Sequence, residues 1–192
     1  MNNKTQQVKI RPLQKKDNNA VENICIITAP EFFVNTENRR KITLLLYCDY
    51  YTRMREHSFV AVNEKDEAVG YIFCEPDNKR YKNEFKKVEL KKLLKLGIIS
   101  CIRGINEIKS AQLYADKYPG HMHIDILPQY QRQGIGHMLL DTLTEHLKNI
   151  GSKGFHLGCG TGNEKGISFY RKYGFKELGR KGGSVLFGIY IK

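Results

Sequence analysis

A chain of 192 residues, 41% hydrophobic and 27% charged, has enough apolar material for a core. That excludes global disorder, and the length fits one domain, with or without an insertion. The formal charge of +12 predicts attraction to anions without naming one, while no apolar run approaches the ~18 residues of a spanning helix.

The start, MNNKTQQVKIRP, lacks the apolar stretch of a secretory leader. Residues 8–11 alternate and run into Pro12, which predicts a short first strand. Asp17 is placed to cap a helix through Ala20, Val21, Ile24 and Ile27, with a second helical pattern over 38–55. SFVAV (58–62), the polar turn 63–67 and AVGYIFCE (68–75) predict a hairpin that ends at Pro76. Residues 77–117 break the rhythm: ten Lys/Arg stand against three Asp/Glu between Lys79 and Lys109. Two helices separated near Gly97 to Gly104 are expected there, an insertion over one end of a single domain spanning 1–192 and too short for a generous core of its own.

HMHIDIL (121–127) alternates again and stops at Pro128. A glycine-rich turn leads to an amphipathic helix whose stripe is Ile135, Met138, Leu139, Thr142, Leu143, His146, Leu147 and Ile150. A strand at 155–159, a helix from about Asn163 and two last strands complete a mixed α/β sheet. The five cysteines are widely spaced with no C-x-x-C pair. A disulfide framework is disfavoured, and a reducing cytoplasm without membrane attachment is the expected setting.

In the turn Gln131-Arg132-Gln133-Gly134-Ile135-Gly136, the two glycines lack a Cβ that would keep a ligand from the main chain. Loop amides and the first helical N–H groups converge where the helix dipole also favours negative charge, and Arg132 adds a cation. Pyrophosphate suits such a place, although a plain glycine-rich connection has the same sequence. The patterns G-x-x-x-x-G-K-[ST] and G-x-G-x-x-G are absent at this turn.

Q-x-x-G-x-G after a strand, followed by Asn163, Gly166, Phe169, Tyr170, Gly174 and Phe175 in the spacing N-x-x-G-x-x-F-Y-x-x-x-G-F, resembles the GNAT superfamily of acetyl-CoA-dependent acyltransferases. The opening VKIRPLQKKDNNAVENI is similar to that family's first strand and helix. The resemblance implies a mostly antiparallel sheet, flanked by helices and splayed between its fourth and fifth strands, with acetyl-CoA in the gap. It implies that the main chain at Ile124 and Ile126 binds the pantetheine amides. Gln131, Arg132, Gln133, Gly134, Ile135, Gly136 and His137 would hold the pyrophosphate, and Asn163 would contact the pantetheine. Tyr170 would face the cofactor sulfur. Family members commonly carry Ala where Gly166 stands, and a glycine there lowers helix stability by about 1 kcal/mol.

The implied reaction is direct transfer of acetyl to a primary amine of a small molecule in a ternary complex. The amine must lose a proton and the leaving thiolate benefits from one. Tyr170 is the candidate acid, against a purely structural role as a core tyrosine. His121, His123 and Asp125 alternate along one strand and share a face. Asp125 is the first choice of base, His123 the second and Glu75 the third, each against the reading of a silent polar residue at a strand end. The alternative to an enzyme is a module that binds acyl-CoA or an acetylated metabolite without turnover.

H-x-H-x-D also suits a zinc or iron site. The remaining His57, His137, His146 and His156 have no paired spacing, so no metal is expected. The stretch Tyr118-Pro-Gly-His-Met-His-Ile-Asp-Ile-Leu-Pro resembles bacterial relatives of the acetyltransferase-like domain associated with O-GlcNAc hydrolases, which makes a sugar amine one conceivable acceptor. The basic run reads as a solvated helix face, and nucleic acid is not expected as a partner. Phe32, Phe33, Tyr47 and Tyr51 are expected to line the acceptor pocket, against the commoner role of aromatic residues at such spacing, which is core. Oligomeric state is left open, a homodimer included.

Overall fold

The computed structural model describes residues 7–191. The reading of the first twelve residues as no leader rests in part on residues outside that range. Seven strands form one sheet: β1 (Lys9–Pro12), β2 (Phe59–Val62), β3 (Ala68–Glu75), β4 (Gly120–Ile126), β5 (Gly154–Gly160), β6 (Lys176–Lys181) and β7 (Ser184–Tyr190). Their order is β1-β2-β3-β4-β5-β7-β6. Every neighbouring pair is antiparallel except β4 and β5. This is the splayed mixed sheet that the motifs imply: β4 and β5 pair only at Gly120↔Phe155 and His121↔His156, and beyond these rungs no ladder joins them.

Alternation along the strands divides the core in two. Tyr71 and Phe73 of β3 face a cluster built with α1 (Asn18–Thr28), α2 (Glu37–Tyr47) and α3 (Asp49–Arg53). Ile72 and Cys74 face the other cluster, built with α7 (Ile135–Asn149) and α8 (Glu164–Tyr173). Segment 38–55 is thus two helices, parted at Cys48. In α7 the buried stripe is Ile135, Leu139, Leu143 and Leu147 with Leu140, whereas Met138 and Ile150 are exposed. A one-stripe reading misses Leu140 because the helix lies deep enough in the sheet to bury a wider arc.

The basic segment holds three helices, α4 (Asn78–Lys87), α5 (Glu89–Lys95) and α6 (Ile98–Gln112). Gly97, at φ +118°, separates α5 from α6, but Gly104 breaks nothing. It lies inside α6, where a Cβ would come within 2.6 Å of Leu93 Cδ1, so it serves close helix packing. Tyr81, Phe85, Leu93, Ile108 and Ala111 join the cluster of α1–α3. Three of the ten cations pair with acids: Arg80 with Glu75 and Glu56, Lys87 with Glu84, and Lys92 with Asp49. All five cysteines are free, four of them buried, and no described helix is long and apolar enough to cross a membrane.

Asp17 precedes α1 as expected but makes no side-chain cap bond to it. Its carboxylate turns back to the Arg11 guanidinium (2.7 and 2.9 Å) and to the Gln14 N–H (2.9 Å). Burial works against the charge, yet these donors hold the Asp17 carboxyl below its ordinary value. The stability this gives is present at neutral pH and is lost as pH falls through the depressed folded-state value. Asp17→Asn should cost about 2 kcal/mol at pH 7, or a Tm drop of roughly 6 °C. Thermal melts of the two proteins should converge in strong acid.

Candidate active site

The divergence after His121 opens a cleft of about 150 Å³. One wall is β4 from Met122 to Asp125, the other is β5 from Leu157 to Gly160, and Asn163 and Tyr170 close it. A larger hollow of about 450 Å³, lined by Pro76, Asp77, Asp116, Pro119 and residues 150–153, contains none of the motif residues.

Leu127 N–H donates to Val69 O, and hydrogen-bonded and free pairs alternate along an antiparallel ladder. The main-chain groups of Ile126 and Ile124 are therefore turned from β3 toward the gap. The Ile126 carbonyl is already taken by Gln131 Nε2 (2.9 Å). Ile124 keeps both groups for a ligand.

At the mouth of the gap, Arg132 (φ +62°) and Gly134 (φ +82°) both adopt the left-handed conformation. Gly134 is the N-cap of α7 and has nothing within 4 Å of its missing Cβ. Among the described residues no backbone carbonyl accepts from the amides of Arg132 to Gly136, and Arg132 is exposed. A chain of free N–H groups at a helix start with a cation beside it is an anion cradle. Gly136 has a reason in the packing as well. A Cβ there would come within 2.9 Å of the Phe169 ring, so its bareness lets α7 and α8 touch. Gln133 bonds back to Gln129 O (2.9 Å), stiffening the loop, and the exposed His137 packs edge-on against Phe169.

Asn163 is the N-cap of α8, with Oδ1 accepting from Gly166 N (2.9 Å). A Cβ at Gly166 would fall 2.6 Å from the Asn163 amide, which gives a local reason for glycine at this position. Tyr170 packs among Phe169, Phe175 and Phe187. Burial, and after it the neighbouring Cys159 and Asp125, push its hydroxyl pKa far up. It is a protonated phenol at every physiological pH.

Asp125 accepts a hydrogen bond from the Tyr71 hydroxyl, its cross-strand partner. Burial lifts its carboxyl to about 6, against the pull of that bond. His123 also lines the cleft. Burial, and secondarily His156, lower its imidazole to about 4, so it is neutral at pH 7. Glu75 is excluded as a base. It is 1% exposed, accepts from Tyr50 (2.6 Å), Arg80 (2.9 Å) and the Asp77 N–H (2.9 Å), and does not line the cleft.

Two of the expected pocket residues are elsewhere: Phe32 and Phe33 sit on an exposed 3₁₀ turn. Tyr51 is fully buried in the core, and Tyr47 meets the edge of His123. A residue the pattern of the chain does not single out is Glu107 on α6. It comes within 3.7 Å of His121, and burial raises its carboxyl to about 7. One of three acids in a basic run carries no local signal of that meeting.

Comparison with known proteins gives the following. SsHAT superposes with a TM-score of 0.86 at 23% identity, covering 97% of this chain and 99% of that one. The PaiA N-acetyltransferase of Thermoplasma acidophilum, solved with coenzyme A, gives 0.61 at 14% identity over 96% and 99%. A phosphinothricin acetyltransferase of Sinorhizobium meliloti, solved with acetyl-CoA, gives 0.58 at 14% over 96% and 88%. At these identities the likeness is one of fold. Residues 21–175 match the model of the acetyltransferase (GNAT) family. With most of its length inside that match, from the first helix through the splayed strands and both glycine motifs, the chain belongs to the acetyltransferase (GNAT) family.

Proposed function

We propose that the chain transfers acetyl from acetyl-CoA to a primary amine of a small molecule by direct attack in a ternary complex. The observation that carries this is the cleft between β4 and β5, with Asp125 on one wall, Tyr170 at its floor and the free amides of Arg132–Gly136 at its mouth. The two acetyltransferases above that hold coenzyme A or acetyl-CoA share this fold. The loop amides and Arg132 bind the pyrophosphate, the main chain of Ile124 takes the pantetheine amides, and Asn163 closes over the same arm. Asp125, directly or through an ordered water, takes a proton from the acceptor ammonium. The amine attacks the thioester carbon, the carbon–sulfur bond breaks as the Tyr170 phenol protonates the departing sulfur, and the second proton that the nitrogen sheds on becoming an amide restores the phenol.

The whole chain acts as one unit in this reading, with residues 77–117 as an insertion, and the five free cysteines support a reducing, cytoplasmic setting. The 118–128 stretch supports a place beside the O-GlcNAc-hydrolase-associated acetyltransferases, so amino sugars are the first acceptors to try.

Calorimetry with acetyl-CoA, followed by thiol release over a panel of amino sugars, polyamines, amino acids, aminoglycosides and peptides, tests the proposal. Micromolar binding with thiol release that depends on one amine class is expected. Binding without any release would make the chain a cofactor-binding module, and no binding would sink both. Arg132→Ala should weaken acetyl-CoA binding about tenfold, the loss of one partly screened charge-assisted contact (~1.4 kcal/mol). Repeating the titration at higher salt should narrow the gap between the two proteins.

A further inference from the structure

We propose that Glu107, His121 and His123 bind a divalent transition-metal ion of the zinc class, which ties α6 to β4 beside the cleft. Alternation puts the two imidazoles on one face of β4, and α6 brings Glu107 to that face. One ligand atom from each of the three residues lies within 4.8 Å of the other two.

Three observations point to a missing cation rather than to a closed polar cluster. The first is the state of Glu107: the other two acids between Lys79 and Lys109 have cationic partners, Glu84 with Lys87 and Arg53 and Glu89 with Arg53. Among the described residues, Glu107 has neither lysine nor arginine within reach, although ten of them lie in the surrounding segment. Its one ion-pair contact among the described residues is His121 Nε2 at 3.7 Å, too far for a hydrogen bond. The second is His123, whose Nε2 is buried without a partner. Buried polar atoms are normally satisfied, and an orphan asks for an explanation. The third is His121, whose Nδ1 lies 3.0 Å from the Tyr51 hydroxyl. With Nδ1–H donating to that oxygen, the Nε2 lone pair is aimed at Glu107, the outer-shell arrangement that orients metal-ligating histidines.

The rings of Tyr47, Tyr51 and Tyr81 pack against these imidazoles and hold them in an apolar sleeve. Two imidazoles and one carboxylate select zinc-like ions over magnesium or calcium, which prefer all-oxygen sets, and leave a fourth position for water. Closing to metal bonds of about 2.0–2.2 Å asks only that the three side-chain ends draw in. The expectation of no metal considered ligands on β4 and the other histidines. The third ligand comes from a helix of the insertion instead.

The full chain, stripped with a chelator and dialysed, would be titrated with Co²⁺ and then Zn²⁺. One Co²⁺ per chain, with visible bands bleached by Zn²⁺ and a Tm that rises with Zn²⁺, is expected. Glu107→Gln keeps the shape of the side chain. It should weaken the Co²⁺ Kd at least about tenfold and abolish the Zn²⁺-dependent rise in Tm. His57→Ala disrupts an imidazole pair away from the proposed site, His57 with His146 at 2.8 Å, and should leave uptake unchanged. No saturable uptake, uptake indifferent to Glu107→Gln, or uptake lost with His57→Ala would each overturn the proposal. The titration uses neither acetyl-CoA nor an acceptor, so its failure leaves the acyl-transfer reading untouched.

Discussion

Tyr170→Phe is expected to lower kcat for acetyl transfer by about a hundredfold or more, the range for losing a positioned proton donor. The Kd for acetyl-CoA should stay within about twofold, because the ring, not the hydroxyl, fills the space among Phe169, Phe175 and Phe187. Phenylalanine removes one oxygen and leaves that packing intact. A hydroxyl already protonated at all working pH values can contribute only as a donor. The variant therefore separates proton delivery from binding. Steady-state kinetics with the best amine of the panel, beside calorimetry with acetyl-CoA, reads both quantities. Turnover equal to the parent would take Tyr170 out of the chemistry and return it to the core.

Asp125→Asn should fall further, about a thousandfold in kcat, with the fold undisturbed. The Tyr71 hydroxyl that now donates to the carboxylate can donate equally to an amide oxygen, so the local geometry survives. An amide takes no proton from an ammonium. Melting temperature should hold or rise slightly, since a desolvated charge has been removed. Rapid-quench single turnovers on preloaded acetyl-CoA complex locate the loss in the chemical step. Full activity in Asp125→Asn would shift the base to His123, since Glu75 is locked into its pair with Arg80. If Glu107, His121 and His123 hold an ion, His123 is engaged as a ligand and Asp125 stands alone on that wall.

What could be read from the chain was whatever is local or paired by spacing. The β2–β3 hairpin announces itself through alternation and a polar turn. The approach to α7, and the Asn163 and Tyr170 spacing, survive as motifs because cap, loop and helix are contiguous in sequence. What escaped depends on contacts between distant segments. Gly104 reads as a break by composition, yet it is the point where α6 meets Leu93 and Leu90. Asp17 reads as a cap, yet Arg11 outbids the helix for its carboxylate because a two-pronged, partly buried guanidinium pair is stronger than one amide bond. Glu107 meets His121 only through the tertiary course of α6, and no periodicity of either segment encodes that meeting.

The bare α-carbon of Gly136 against the Phe169 ring brings the start of α7 into direct contact with the helix that carries Tyr170. In the proposed reaction, a grip on the nucleotide tail would thereby bear on where the Tyr170 hydroxyl stands. A side chain grown at that contact would push the two apart, so that a change in the handle would be felt at the reacting bond.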